Sequence, residues 1–167
     1  MTYILDTNII LDSVENLLTL SDNGTNTLVI PETVIDELDS KKVGFEDINF
    51  NARQFARLLE DSVILENKVI APLHIIKTSV ESLGINLLII SKKDYECDLQ
   101  TTAPNILNDR KILEAASDYI NKVEPATLIS LDIMFRTRAL SLGLAAEALT
   151  GKSSEQPNEF HKYLKVD

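Results

Sequence analysis

Short β-rich runs alternate with helical periodicities along most of the chain. Four runs of β-branched and other apolar residues predict strands, at Thr2 to Leu5, Thr27 to Ile30, Leu87 to Ile90 and Thr127 to Leu131. Between and after them, apolar residues recur at helical spacing and predict helices over 9–18, 31–38, 51–61, 108–120 and 133–142. This alternation predicts an α/β fold, with a mostly parallel sheet covered by helices on both faces.

Two segments have a less regular pattern. In segment 62–85, Val69-Ile70 suits an extended chain and Ile75 to Leu83 suits a helix. Residues 91–107 read as an irregular polar loop, because turn-forming and polar residues cluster there. The polar end of the chain reads as a tail, so we expect one domain over 1–150 and a tail over 151–167.

Composition places the chain among ordinary soluble domains. Its 167 residues suffice for one core, and no apolar run approaches the roughly 20 residues that cross a bilayer. The first residues lack the basic and apolar regions of a signal peptide. A single cysteine, Cys97, cannot form an internal disulfide. We therefore expect a cytoplasmic protein without a membrane partner.

The net charge of −10 restricts how the chain could hold a nucleic acid. Binding to nucleic acid draws much of its affinity from neutralised phosphates, and this chain as a whole would repel a polyanion. Local cations, a bound metal or a partner protein would have to hold such a ligand. A concentration of acids in one metal site would account for part of the excess charge.

Three aspartates stand at the ends of predicted elements. Asp6 ends the first strand and Asp132 follows the last, and ligands gather at the carboxyl ends of parallel strands. Asp109 stands at the predicted opening of a helix, where free N–H groups favour a carboxylate. Each of them, taken singly, is more typical of a capping residue.

Glu37 is stronger evidence for a metal site than the three aspartates, because of its position around the predicted helix. Val34 and Leu38 define the buried stripe, Ile35 widens it, and Glu37 falls on its border while Asp36 points away. A hard cation with oxygen ligands would explain a glutamate there. With no cysteine or histidine near these acids in sequence, the natural occupant is Mg²⁺ or Mn²⁺ rather than zinc.

The same residues resemble the motifs of the PIN-domain nucleases. The resemblance runs from about residue 2 to 148 and rests on four motifs in order, namely Leu5-Asp6-Thr7-Asn8, the stretch Pro31 to Asp39, the stretch Asn108 to Leu113, and Ser130-Leu131-Asp132 followed by Arg136, Arg138 and Ala139. The stretch Asn51 to Leu59 is similar to the PIN module that precedes PhoH-type ATPases. One departure is Leu131, where the family often has a polar residue.

The resemblance implies a PIN-like three-layer α/β/α fold and metal-dependent cleavage of single-stranded RNA. It implies that four acids are both catalytic and metal-binding: Asp6, Glu37, Asp109 and Asp132. Thr7, Asn8 and Ser130 would be supporting polar groups. Basic residues beside the acids are candidate phosphate contacts, with ion pairs to the acidic surface as the alternative: Arg110, Lys111, Arg136 and Arg138.

The sequence argues against several other interpretations of its motifs. Ala146 to Ser153 resembles a relaxed phosphate-binding loop, but a working one needs a following helix and Pro157 interrupts the short remainder. Aspartate phosphatases of the haloacid-dehalogenase type need a second aspartate where this chain has Asn8. His74 and His161 are separated from the acids in sequence, so we expect solvated or structural roles for both.

Two broader alternatives remain open at this stage. A PIN scaffold that only binds protein or RNA differs from a nuclease by losing acids, and this chain keeps all four. A toxin, an RNA-processing enzyme and a phage accessory nuclease are not distinguished by the sequence. We expect RNA as the substrate, and the sequence leaves open both a regulatory protein partner and a homo-oligomer.

Overall fold

A single mixed sheet forms the centre of the protein. The computed structural model describes residues 1–99 and 103–149. Within these ranges the sheet has seven strands: β1 Thr2–Leu5, β2 Thr27–Pro31, β3 Val63–Ile70, β4 Leu73–Val80, β5 Ile85–Lys92, β6 Thr127–Ile129 and β7 Ala146–Glu147. Their order across the sheet is β3-β4-β5-β2-β1-β6-β7.

The sheet is mostly parallel, as predicted. Strands β5, β2, β1, β6 and β7 run parallel, while β3, β4 and β5 pair antiparallel. The central strands are buried on both faces, since Ile4, Leu5, Leu28 and Ile30 have no exposed surface. Near-continuous apolar strands of this kind need helices on both sides, so the α/β prediction is confirmed.

Helices follow most of the parallel strands. Their bounds are α1 Thr7–Asp12, α2 Asn16–Ser21, α3 Glu32–Ser40, α4 Asp47–Glu60, α5 Pro104–Lys122 and α6 Ile133–Ser141, with a 3₁₀ turn at Glu96–Leu99. In the part of the chain that the structure describes, none of them is long and apolar enough to cross a membrane.

The predicted helix over 9–18 is wrong, because the chain forms two short helices there. Ser13 is extended and ends α1, with its N–H on the Ile9 carbonyl. Buried Asn16 donates from Nδ2 to the Ile9 carbonyl at 2.8 Å and to the Asp12 carboxylate at 2.9 Å. This side chain satisfies the carbonyl end of α1 and lets α2 begin in a new direction.

The predicted helix over 75–83 is also wrong. Residues 73–80 form β4, which pairs antiparallel with β3 and β5. The apolar spacing at 75, 76, 80 and 83 suits either period, but β-branched residues dominate the segment and favour a strand. The extended stretch at Val69-Ile70 is the end of the longer strand β3.

Several predicted ends are displaced. Helix α4 begins at Asp47 because Glu46 and Asn49 form a capping box. Helix α5 begins at Pro104, so the predicted polar loop is shorter and Asp109 does not stand at a helix opening. The predicted tail over 151–167, with His161 and the end of the phosphate-loop resemblance, lies outside the described residues.

A nearly buried lysine fastens α5 to β5. Lys92 Nζ lies 2.6 Å from a carboxylate oxygen of Glu114 and 2.6 Å from one of Asp118. Burial works against the charge of Lys92, but hydrogen bonds to both acids outweigh it and raise its pKa. Burial of Glu114 is likewise outweighed, by Lys92 and by the N–H groups of Glu96 and Cys97, and its pKa is lowered. These ion pairs, which we call the Lys92 clamp, hold α5, the helix that carries Asp109, against β5.

Lys92→Met should destabilise the fold by on the order of 2 kcal/mol at pH 7. The substitution leaves two half-buried acids side by side without their cation; the cost is below that of a fully buried pair because both acids still contact water. Urea unfolding measures the loss, with Lys93→Met, which removes an exposed lysine, as the matched control.

The same pair of variants has a pH signature. Because the Glu114 pKa is lowered in the folded state, its stabilisation is present above the ordinary value of 4.5 and is lost as the pH falls through the folded value. The difference in the free energy of unfolding between wild type and Lys92→Met should therefore become smaller at acidic pH. A difference that is constant down to acidic pH would contradict the clamp.

Candidate active site

Asp6 lies at the end of the central strand β1, with 6% of its surface exposed. It is the N-cap of α1, and Oδ1 accepts the Thr7 N–H at 2.8 Å. Its other oxygen accepts the Ser130 hydroxyl at 2.6 Å. The strand end and the helix start thus hold a carboxylate where water hardly reaches it.

Ser130 joins the end of β1 to the segment after β6. Its hydroxyl donates to Asp6 and accepts from Asn8 Nδ2 at 3.3 Å and from the Asp132 N–H at 3.0 Å. These bonds use the one proton and both lone pairs of a hydroxyl. Asn8 also accepts the Leu131 N–H at 3.1 Å, so both side chains fix the loop that carries Asp132.

Glu37 connects three helices through its two carboxylate oxygens. Oε1 accepts the Thr7 hydroxyl from α1, and Oε2 accepts Asn108 Nδ2 from α5 at 3.3 Å. The predicted phase of α3 is confirmed, since Val34 and Leu38 are buried, Glu37 is half-buried and Asp36 is exposed. Asn108 was missed as a site residue, although it stands directly before Asp109 and could have been found there.

The other two acids lie nearer to solvent. Asp109 is half-buried in the second turn of α5 and forms an ion pair with Arg138 at 2.9 Å. Asp132 is exposed, and it caps α6 by accepting the Met134 N–H at 2.9 Å. Asp132 is therefore a helix cap, as the alternative interpretation expects. Asp6 is a helix cap too, but it is also buried.

The four acids, Asp6, Glu37, Asp109 and Asp132, form one electrostatic unit, which we call the carboxylate cluster. Burial raises the pKa of Asp6 to about 6, with the charges of Asp109 and Glu37 adding to it against the hydrogen bonds from Ser130 and Thr7. Burial also raises the pKa of Asp109 to about 6, against Arg138 and together with Glu37 and Asp132. Each member thus raises the cost of ionising another.

The donor chemistry of the carboxylate cluster fits a hard divalent cation. Among the described residues, the groups that hydrogen-bond to Asp6 and Glu37 are neutral, and the two carboxylates are oxygen donors of the kind Mg²⁺ and Mn²⁺ prefer. In residues 1–99 and 103–149, however, no three acidic, histidine or cysteine side chains already enclose an ion. Binding would therefore draw the carboxylates closer than they lie here.

The four candidate phosphate contacts separate into different environments. Arg136 donates to the Ser130 carbonyl at 2.7 Å and so supports the backbone of the site. Arg138 pairs with Asp109, Lys111 lies 5.5 Å above the Tyr95 ring, and Arg110 is exposed. Arg138 therefore forms an ion pair in this structure, as the alternative to a phosphate contact expects.

The remaining sequence candidates lie elsewhere. His74 is exposed on β4, where it bonds to Asn67, in agreement with a solvated role. Cys97 belongs to the 3₁₀ turn, and its N–H donates to Glu114 at 3.2 Å.

Curated relatives share the sequence of this chain over one part of their length. It is 29% identical over 151 residues to a protein named PhoH2 from Bacillus subtilis, covering 87% of this chain and 32% of that one. A second PhoH2, from Mycolicibacterium smegmatis, is 28% identical over 146 residues, covering 87% and 31%. The chain therefore spans about a third of the length of these relatives.

A solved structure shares the fold. A domain of a functionally unknown protein from Methanocaldococcus jannaschii superimposes with a TM-score of 0.55 at 18% identity, covering 88% of this chain and 89% of that one. At this identity the likeness concerns the fold alone.

The family model described as the PIN domain matches residues 3–150. This range contains every described strand except the first residue of β1, Thr2, and it contains every member of the carboxylate cluster. PIN domains are generally nucleases, and they generally use divalent metal ions. With nearly all of the described fold inside the match, the chain belongs to the PIN-domain family.

Proposed function

We propose that the chain is a Mg²⁺- or Mn²⁺-dependent endoribonuclease that hydrolyses single-stranded RNA, with residues 1–150 as its nuclease domain. The observation that carries the proposal is the carboxylate cluster. A PIN-family chain holds Asp6 and Asp109 in an environment that raises both pKa values to about 6. Groups whose ionisation is made costly in this way are typical of functional sites.

The division of labour follows from the contacts. Asp6, Glu37, Asp109 and Asp132 would hold the cation, which would supply a nucleophilic hydroxide from water and neutralise charge on the phosphate. Thr7 and Asn108 orient the Glu37 carboxylate from two helices. Ser130 orients Asp6, and Asn8 fixes Ser130, so the polar groups position acids rather than react.

Single-stranded RNA suits the surroundings of the cluster. Three exposed apolar side chains, Leu131, Ile133 and Met134, flank Asp132. Unpaired bases can lie against apolar side chains, whereas the bases of a duplex are stacked inside it. Arg138 can exchange its pair with Asp109 for a phosphate once a cation occupies the cluster.

A catalytically weak scaffold that binds protein or RNA is the second candidate. It is favoured by the exposure of Asp132, which already caps a helix, and by the lack of three converging ligands among the described residues. In that case the buried acids would be structural. A regulatory protein partner and a cytoplasmic location remain predictions under either function.

The carboxylate cluster should be required for RNA cleavage. We expect the purified chain to cut single-stranded RNA in Mn²⁺ or Mg²⁺ and to stop in EDTA. Asp6→Asn and Asp109→Asn should lose activity by roughly 1000-fold or more, because each removes a charged ligand from the site. Gel-based cleavage of a labelled RNA measures the rates.

Asp36→Asn is the matched control for Glu37→Gln. Both substitutions remove one charge from neighbouring positions of α3, but Asp36 is exposed and Glu37 bonds to Thr7 and Asn108. Only Glu37→Gln should lose activity. Intact RNA with either metal at high enzyme concentration would favour the scaffold.

Metal should relieve the repulsion within the cluster. In EDTA, Asp6→Asn removes one buried charge but also one hydrogen bond, because an asparagine oxygen can still accept the Thr7 N–H while its amide nitrogen cannot accept the Ser130 hydroxyl. Manganese should raise the wild-type melting temperature and raise that of the variant less, since a ligand is gone. Differential scanning calorimetry with and without Mn²⁺ gives both shifts.

The opposite pattern would identify Asp6 as structural. If Asp6→Asn still gains the full metal increment, the buried carboxylate serves as a cap and does not bind the ion.

A further inference from the structure

Strand β3 forms one edge of the sheet and is unusually apolar for an edge. It pairs with β4 on one side, and among the described residues no strand lies on its other side. Val63, Ile64, Leu65 and Val69 are exposed, Val69 by 69%. An edge of this kind presents unpaired N–H and C=O groups together with apolar side chains, and such edges readily pair with another strand.

The sequence of this edge is antisymmetric in charge about Asn67. Glu66 precedes it and Lys68 follows it, and Leu65 and Val69 stand outside these two. If two copies of β3 run antiparallel with Asn67 opposite Asn67, Glu66 of each copy stands opposite Lys68 of the other. Opposite charges directly across a ladder are stabilising.

Backbone geometry restricts the other registers. Alternate residues of a strand direct their N–H and C=O to the same side, so two identical strands can pair only when facing residues differ by an even number of positions. The axis can therefore sit on Glu66, Asn67 or Lys68, but not between them. An axis on Glu66 faces glutamate with glutamate, and one on Lys68 faces lysine with lysine, so Asn67 is favoured.

We infer that β3 is a self-association edge, at which a second copy of this chain continues the sheet antiparallel about Asn67. The bulge at Leu65, between Ile64 and Glu66, interrupts the regular ladder, so the stretch that pairs symmetrically about Asn67 is residues 66–68. The resulting contact is isologous, as in most two-fold dimers. It is short, and the dimer is accordingly a weak, reversible one.

The ion pairs that Glu66 forms within the chain compete only weakly with pairing to a second copy. Its carboxylate lies 3.5 Å from Lys68 Nζ and 3.7 Å from Lys77 Nζ; Glu66 and Lys68 are exposed, and Lys77 is half-buried. Exposed pairs of this length contribute little to stability. Lys68 can therefore turn to the facing Glu66 of the second copy at little cost.

Charge reversal tests the edge and its register together. Sedimentation velocity of the whole chain over a concentration series, at low ionic strength and in EDTA, should show a reversible dimer. Glu66→Lys and Lys68→Glu should each weaken it by about tenfold or more, because like charges then face each other twice. The double variant E66K/K68E should regain wild-type association, and an equimolar mixture of the two single variants should form a heterodimer.

Lys41→Glu is the control, since it reverses one exposed charge on the loop after α3, away from β3. It should leave association unchanged. A monomer at every concentration overturns the inference, including the case in which another segment of this chain covers β3. A dimer that both single variants keep, or that the double variant does not restore, also overturns it. RNA cleavage has no part in this measurement, so its outcome does not depend on the proposed function.

Discussion

The site depends on one constraint, which is that the fold buries the carboxylate of Asp6 at the end of its central strand. A buried charge is costly unless it is hydrogen-bonded, and here both oxygens accept hydrogen bonds, from the Thr7 N–H and from Ser130. To make the second bond, the segment after β6 must lie against the start of α1. The burial of one acid thus fixes how the segment after β1 and the segment after β6 lie against each other.

The remaining acids are arranged around this position by neutral groups. Thr7 and Asn108 hold Glu37 from α1 and α5, while the Lys92 clamp fixes α5 against β5. Most of these supports neutralise no charge, so the repulsion among the carboxylates persists. Under the proposed function, a bound cation would relieve this repulsion, and metal binding would then stabilise the folded protein.

Much of this arrangement could be predicted from the sequence, because the central parallel strands are nearly continuous apolar runs and the ends of such strands bring acids together. The phase of Glu37 followed from Val34 and Leu38 alone. The β3–β4 hairpin could not be predicted from apolar spacing, because that spacing fits two periods and the β-branched content, which favours a strand, has to decide between them. The start of α5 was missed because Pro104 lies in a stretch that reads as polar loop. Asn108 lies inside the predicted helix, but its contact with Glu37 depends on how α3 and α5 pack and could not be predicted.

Carboxyl-carbon NMR titration of Asp6 and Asp109 tests the central claim most directly. In the metal-free protein, both groups should titrate near pH 6, well above the ordinary 3.8 for aspartate. Saturating Mg²⁺ should lower both pKa values, because a cation favours the ionised form. Titration of both groups near 4, unchanged by Mg²⁺, would contradict the account of a strained carboxylate cluster that binds a metal.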